Sequence, residues 1–273
     1  MKSIGIIANK GGQGKTATAV NLAHGLALKG RKVLLVDCDD QGHISVAFDV
    51  DTKDRMTLYH LLGRSDIHPK DLIVALRKNL YGILSDETLY AGLVALQEIK
   101  SDVERVSRLR NALQLFDAEG FDYVIFDGKP SQNDLVYNII MASNYIYIPV
   151  DVSGSDFFGL AGLGTFINAI SATCQDFEKD IGHWYDRLCL IPYFYRKGSP
   201  DSRQDYEALT RRFPDLVTPP IRYSQAVANA PRRGQTIFEY HTIGRNNGLE
   251  DFSNLVELTL TYEKQQIQEE IHA

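Results

Sequence analysis

The stretch ANKGGQGKTAT, Ala8–Thr18, decides how this chain folds. Three glycines and two lysines crowd one turn. The turn lies between an apolar run, KSIGIIAN (residues 2–9), and a segment of helical spacing, GKTATAVNLAHGLALKG (residues 14–30). The run reads as a buried strand. The segment reads as a helix with Val20, Leu22, Ala23, Leu26 and Ala27 inward and a glycine stop at Gly30. Glycines between a strand and a helix let successive N–H groups curl inward, and the helix start adds its positive end; that combination suits phosphate. The spacing is close to G-x-x-x-x-G-K-[ST], shifted when counted from Asn9. In such a loop Lys15 reaches the β- and γ-phosphates and the Thr16 hydroxyl ligates Mg²⁺. The second lysine, Lys10, has no role within one loop and needs its own explanation.

Working outward, further apolar runs end in acidic residues. LLVDCDDQGH (34–43) carries Asp37, Asp39 and Asp40. FDYVIFDG (121–128) carries Asp127 at the end of its strand, where open α/β sheets bind ligands. Close carboxylates repel each other unless a cation or a polarised water sits among them. LYGILSD (80–86), ASNYIYIPVD (142–151) and DRLCLIPYF (186–194) read as further strands. Helical patterns separate them at 103–116, 134–143, 160–177 and 201–213, and a last helix is expected from about Asn254. Strand–helix alternation predicts an α/β fold with a mainly parallel twisted sheet, helices on both faces and right-handed crossovers. No linker composition interrupts it, so residues 1–273 are expected to form one domain.

The 273 residues are 44% hydrophobic with net charge -6, so the chain can build a core and is not a bulk polycation. Three scattered cysteines, Cys38, Cys174 and Cys189, argue against a disulfide framework or zinc site and suit a reducing cytoplasm. No run of about 18 apolar residues is present, and the N-terminus lacks a signal-peptide pattern.

KGGQGKT (10–16), DCDDQGH (37–43) and FDGKPS (126–131) together resemble the deviant Walker A ATPases of the ParA/MinD class, closest to the ParA-like partition and positioning ATPases. NYIYIPVDVSGSDFFGLAGL (144–163) and IRYSQAVANAPRRGQTIFEY (221–240) are similar to later family segments. The resemblance implies slow, Mg²⁺-dependent ATP hydrolysis and gives Lys10 a role. It would cross a two-fold interface to the nucleotide of the other subunit, offsetting the repulsion of two facing triphosphates. Lys10, Gly11, Gly12, Gln13, Gly14, Lys15, Thr16 and Ala17 would then bind nucleotide. Asp39 would orient the attacking water, with Lys10 and Lys15 as the catalytic cations. Thr16, Asp37 and Asp127 would serve the metal, and Pro192, Tyr193, Ile221 and Arg222 would lie on the adenine side. Three positions depart from the pattern: Ala17 replaces a threonine, Asp40 replaces a proline, and Lys129 stands where the turn is usually apolar. Lys129 is expected to be a solvated lysine, the alternative being that it modulates the switch loop.

MinD-like members end in a basic amphipathic helix, whereas Asn246 to the end holds six acids and one lysine here, so no membrane partner is expected. Arg187–Arg245 holds ten Lys or Arg against five Asp or Glu. Arg196, Lys197, Arg203, Arg211, Arg212, Arg232, Arg233 and Arg245 are the candidates for non-specific DNA contact, with no helix-turn-helix signal. The resemblance thus implies a nucleoid-associated ATP dimer whose hydrolysis a ParB-like or cargo-adaptor protein stimulates. The cargo would be a plasmid, a chromosome locus or a protein body such as a carboxysome. The alternatives are a MinD-like membrane ATPase, a metal-cluster carrier resembling nitrogenase iron protein, and an α/β protein with no nucleotide.

Overall fold

A computed structural model describes residues 1–63, 67–129, 134–154, 159–175, 184–241 and 246–272. Eight strands form one sheet: β1 (Lys2–Ile6), β2 (Val33–Cys38), β3 (Val74–Arg77), β4 (Leu80–Ile83), β5 (Tyr123–Gly128), β6 (Tyr145–Asp151), β7 (Leu188–Tyr195) and β8 (Ile221–Arg222). Their order is β3-β4-β2-β5-β1-β6-β7-β8, parallel except for the β3–β4 pair.

Side chains alternate between the two faces, and both faces are buried. Leu34, Val36, Val124 and Phe126 join one apolar layer; Val33, Leu35, Tyr123 and Ile125 join the other. That double coverage is why β2 and β5 are nearly unbroken apolar runs. The first layer includes side chains from helices Asp102–Leu113, Asp134–Ala142 and Gly159–Cys174; the second includes α1 (Lys15–Leu28) and the last helix, Asn247–His272.

The last helix starts at Asn247 rather than near Asn254. The edge strands β3 and β8 and the short helix His43–Phe48 were not among the expected elements. The chain leaves β1 for β2 on one side and returns to place β6 on the other, with β5 slotted between β1 and β2. That reversal opens a crevice at the carboxyl ends of the central strands, where the glycine loop lies. No helix among the described residues is long and apolar enough to cross a membrane.

Candidate nucleotide site

The loop after β1 delivers α1 with Gly14 as its N-cap at φ +87°, and no side chain caps the helix. Its first-turn amides are therefore left for something else to satisfy. Gly12 also has positive φ, +75°, and a Cβ built there would meet no atom within 4 Å. The same construction at Gly14 meets the Tyr193 ring at 2.5 Å. One glycine faces open space of the kind a phosphate fills; the other permits contact with the wall behind the loop.

The two lysines part company. Lys15 is buried, and its ammonium donates to the Lys10 carbonyl at 3.4 Å. Burial lowers its pKa, while Asp127 and Asp39 pull the other way. Lys10 is exposed. A cleft of about 690 Å³ opens beside Lys15, lined by Gly11, Gly12, Gly14, Lys15, Thr16, Ala17 and Asp39 on the phosphate side, and Lys10 does not line it. Tyr193, Phe194, Tyr223 and Val46 form the apolar wall.

The carboxylates divide by role. Asp37 and Asp127 are register partners on adjacent strands, both fully buried. Asp37 is already occupied: one oxygen accepts from the Asp39 amide at 3.1 Å and the other from the Ile44 amide at 3.1 Å. It shapes the loop from inside and does not line the cleft. Asp127 does not line the cleft either, and the Asp37 carboxylate, expected near the metal shell, is engaged by two backbone donors. Both Asp127 oxygens, by contrast, have no hydrogen-bond partner among the described residues. Burial pushes that carboxyl up to about 7, against the pull of neighbouring Thr16 and Lys15. Thr16 lies beside it without reaching hydrogen-bond geometry. An orphaned buried carboxylate next to a threonine at a helix N-terminus fits a hydrated divalent cation. Asp39, 6% exposed, accepts from the Gln41 amide at 3.2 Å and faces the cleft.

On the far side of the cleft, Tyr193 and Arg222 line the wall as expected, but Pro192 and Ile221 do not. Pro192 lies within β7 as the register partner of Val150, and Ile221 is buried in the core layer. Arg222 is committed to Asp251, 2.6 Å away, and to Glu250 at 2.9 Å. Phe194 was not anticipated. It stands at φ +61°, unusual for an aromatic residue, and its ring meets Tyr193 edge-on with centroids 4.7 Å apart. Gln13 is buried and does not line the cleft, whereas Ala17 is half-buried and does. Cys38, Cys174 and Cys189 are all buried and free, and no group of candidate metal ligands with cysteine occurs among the described residues.

Of the basic candidates, Arg196, Lys197, Arg203, Arg211, Arg212, Arg232 and Arg233 are exposed. Arg245 lies outside the described residues. Arg203 donates to the Lys197 carbonyl at 3.3 Å, and Arg196 lies over the Tyr223 ring at 4.7 Å, so these three gather beside the cleft. Arg211 and Arg212 sit at the far end of helix Pro200–Arg212, roughly 12 Å along its axis from Arg203. Arg232 and Arg233 form a third group in the turn Ala230–Arg233.

Residues 1–182 match the AAA domain family. The chain is 33% identical over 249 residues to the chromosome partitioning protein ParA of Caulobacter vibrioides, covering 88% of this chain and 87% of that protein. This chain belongs to the ParA-type partition and positioning ATPases. Within that family it is also 31% identical over 231 residues to the cell division protein PomZ of Myxococcus xanthus, covering 84% of this chain and 69% of PomZ. Among solved structures, apo McdA of Cyanothece superposes with a TM-score of 0.77 at 25% identity, covering 94% of this chain and 97% of McdA. An ATP complex of a Cyanothece McdA shares the fold at 24% identity, with a TM-score of 0.77 over 94% of each chain. The ParA-type assignment accounts for the P-loop ATPase fold and for the glycine loop, the paired acidic strand ends and the cleft between them.

Proposed function

We propose that this protein is a Mg²⁺-dependent ATPase in which two copies close face to face over two ATP molecules. The closed dimer binds DNA without sequence preference and positions cargo on the nucleoid until a partner protein stimulates hydrolysis. One observation carries the reading. Of the two loop lysines, Lys15 is buried and lines the cleft, whereas Lys10 is exposed and does not line it. A loop cation outside its own cleft suits a phosphate brought by a second copy.

Within one subunit the loop amides and Lys15 bind the phosphates, and Asp39 accepts a hydrogen bond from the attacking water, holding it in line. Thr16 and Asp127 would hold Mg²⁺, which supplies charge neutralisation at the terminal phosphate. Asp37 keeps the Asp39 loop in place from behind. Arg196 meets the cleft wall at Tyr223, and Lys197 and Arg203 lie with it as one basic group. Dimerisation would double that group, and release of counterions from DNA would make binding steeply salt-dependent. The last helix is acidic rather than a basic amphipathic segment, so it gives no attraction to an anionic membrane.

A mobility shift of non-specific duplex DNA with Mg-ATP, Mg-ADP or no nucleotide, at two salt concentrations, tests the reading. Retardation with ATP alone, weakened by salt, is expected. Equal retardation under all three conditions, or none, contradicts it.

A further inference from the structure

Lys129 and Asp40 are two of the positions where the chain departs from its family pattern, and the structure joins them. Strands β2 and β5 run side by side, with Asp37 opposite Asp127 and Cys38 opposite Gly128, so their exit loops leave the sheet together. The Lys129 ammonium reaches the Asp40 carboxylate at 2.5 Å; their side chains are only 29% and 12% exposed. The expectation of a solvated lysine does not hold, because its partner lies 89 residues away in sequence. The other Asp40 oxygen accepts from the Gln41 side-chain amide at 3.1 Å. Both carboxylate oxygens are thus engaged, and the carboxylate is held as a bracket for the ammonium.

Both residues line the cleft, on the same wall as Lys15, Thr16 and Asp39. An ammonium has three donors, and Asp40 takes one. Among the described residues no second acceptor meets Lys129. We propose that Lys129 is a further substrate-binding cation of this site, bracketed by Asp40, and that one of its remaining N–H groups contacts the terminal phosphate of ATP. Asp40 acts as the positioning residue and does not touch the nucleotide. Lys129 lines the cleft together with Thr16 and Asp39, the residues assigned to the terminal phosphate, so it would sense the difference between triphosphate and diphosphate. Each charged hydrogen bond made to ATP and not to ADP adds about tenfold in discrimination.

This inference rests on the nucleotide reading above, and its test separates the two. Binding of the β,γ-imido analogue of ATP and of ADP, each with Mg²⁺, is measured by calorimetry on the full chain. The proteins are wild type, Lys129→Ala, Lys129→Arg and Asp40→Asn, each checked for an unchanged melting profile. Lys129→Ala is expected to weaken the triphosphate analogue about tenfold and ADP less than about twofold. Lys129→Arg should keep most of the discrimination, and Asp40→Asn should lose part of it in the same direction. Equal weakening of both nucleotides, or of neither, in Lys129→Ala overturns the proposal while leaving the nucleotide site intact. A wild-type protein that binds neither nucleotide overturns the site reading and this inference with it.

Discussion

Replacing Gly14 by alanine should cost more stability than replacing Gly12, although both glycines belong to one loop and both have positive φ. The left-handed backbone penalises any Cβ by about 1–2 kcal/mol, and this applies to both, at φ +87° and φ +75°. Gly14→Ala adds a clash. Its Cβ would stand 2.5, 2.6 and 2.8 Å from three atoms of the Tyr193 ring. That ring is buried at 2% exposure and packs against Phe194, so it has little room to retreat. Overpacking of this kind costs about 1–3 kcal/mol. Gly14→Ala should therefore lose about 2–5 kcal/mol, and Gly12→Ala about 1–2 kcal/mol. Urea denaturation of the nucleotide-free protein measures the difference, with midpoint shifts read at constant slope. ATP binding should order differently: Gly12→Ala should lose it despite the smaller loss of stability, since its Cβ occupies the open space of the cradle. A smaller residue at 193 should recover part of the Gly14→Ala loss in a double-mutant cycle. Equal stability losses for the two alanine variants would refute the reasoning.

Lys10→Ala should leave nucleotide affinity of the monomer within about threefold of wild type, because Lys10 does not line its own cleft; calorimetry at low protein concentration checks this. Asp127→Asn should abolish the strengthening of ATP binding by Mg²⁺, seen as identical affinities with magnesium and with chelator. Burial holds His24 below its usual 6.5, with Glu239 opposing and Arg77 assisting, and its Nδ1 lies 2.6 Å from the Thr236 hydroxyl. The unfolded chain therefore takes the proton first as pH falls, so this contribution to stability is full above about pH 6.5 and declines below it. Thermal melts from about pH 8 to about pH 5 should show a flatter decline in His24→Gln than in wild type. Replacing Arg196, Lys197 and Arg203 together by alanine should reduce the salt slope of DNA binding by about three per subunit, measured by titration at several salt concentrations.

The phosphate loop was legible because its residues are contiguous and each has a distinct physical task. Strands β2 and β5 were legible because burial on both faces leaves long apolar runs. Strand β8 escaped because its two residues, Ile221 and Arg222, are too few for a period, and β3 because Val74–Arg77 falls within residues 55–115, a stretch whose pattern reads as mostly helical. The last helix starts early, where Asn246, Asn247 and Gly248 read as a turn; Asn246 accepts from the Leu249 amide at the helix start. Non-local pairings were beyond reach. Asp37 looks like its neighbours in sequence, and only the fold turns its oxygens toward the Asp39 and Ile44 amides. The same holds for Lys129 and Asp40, and for Phe194, whose positive φ leaves no trace in residue type.

Sedimentation velocity of Asp39→Ala with saturating Mg-ATP tests the central claim most directly, since blocked turnover would hold the nucleotide in place. The account predicts a dimer with ATP, a monomer with ADP, and a monomer with ATP once Lys10→Ala is added. A chain that sediments as a monomer with ATP, or a dimer that is indifferent to Lys10, would contradict it.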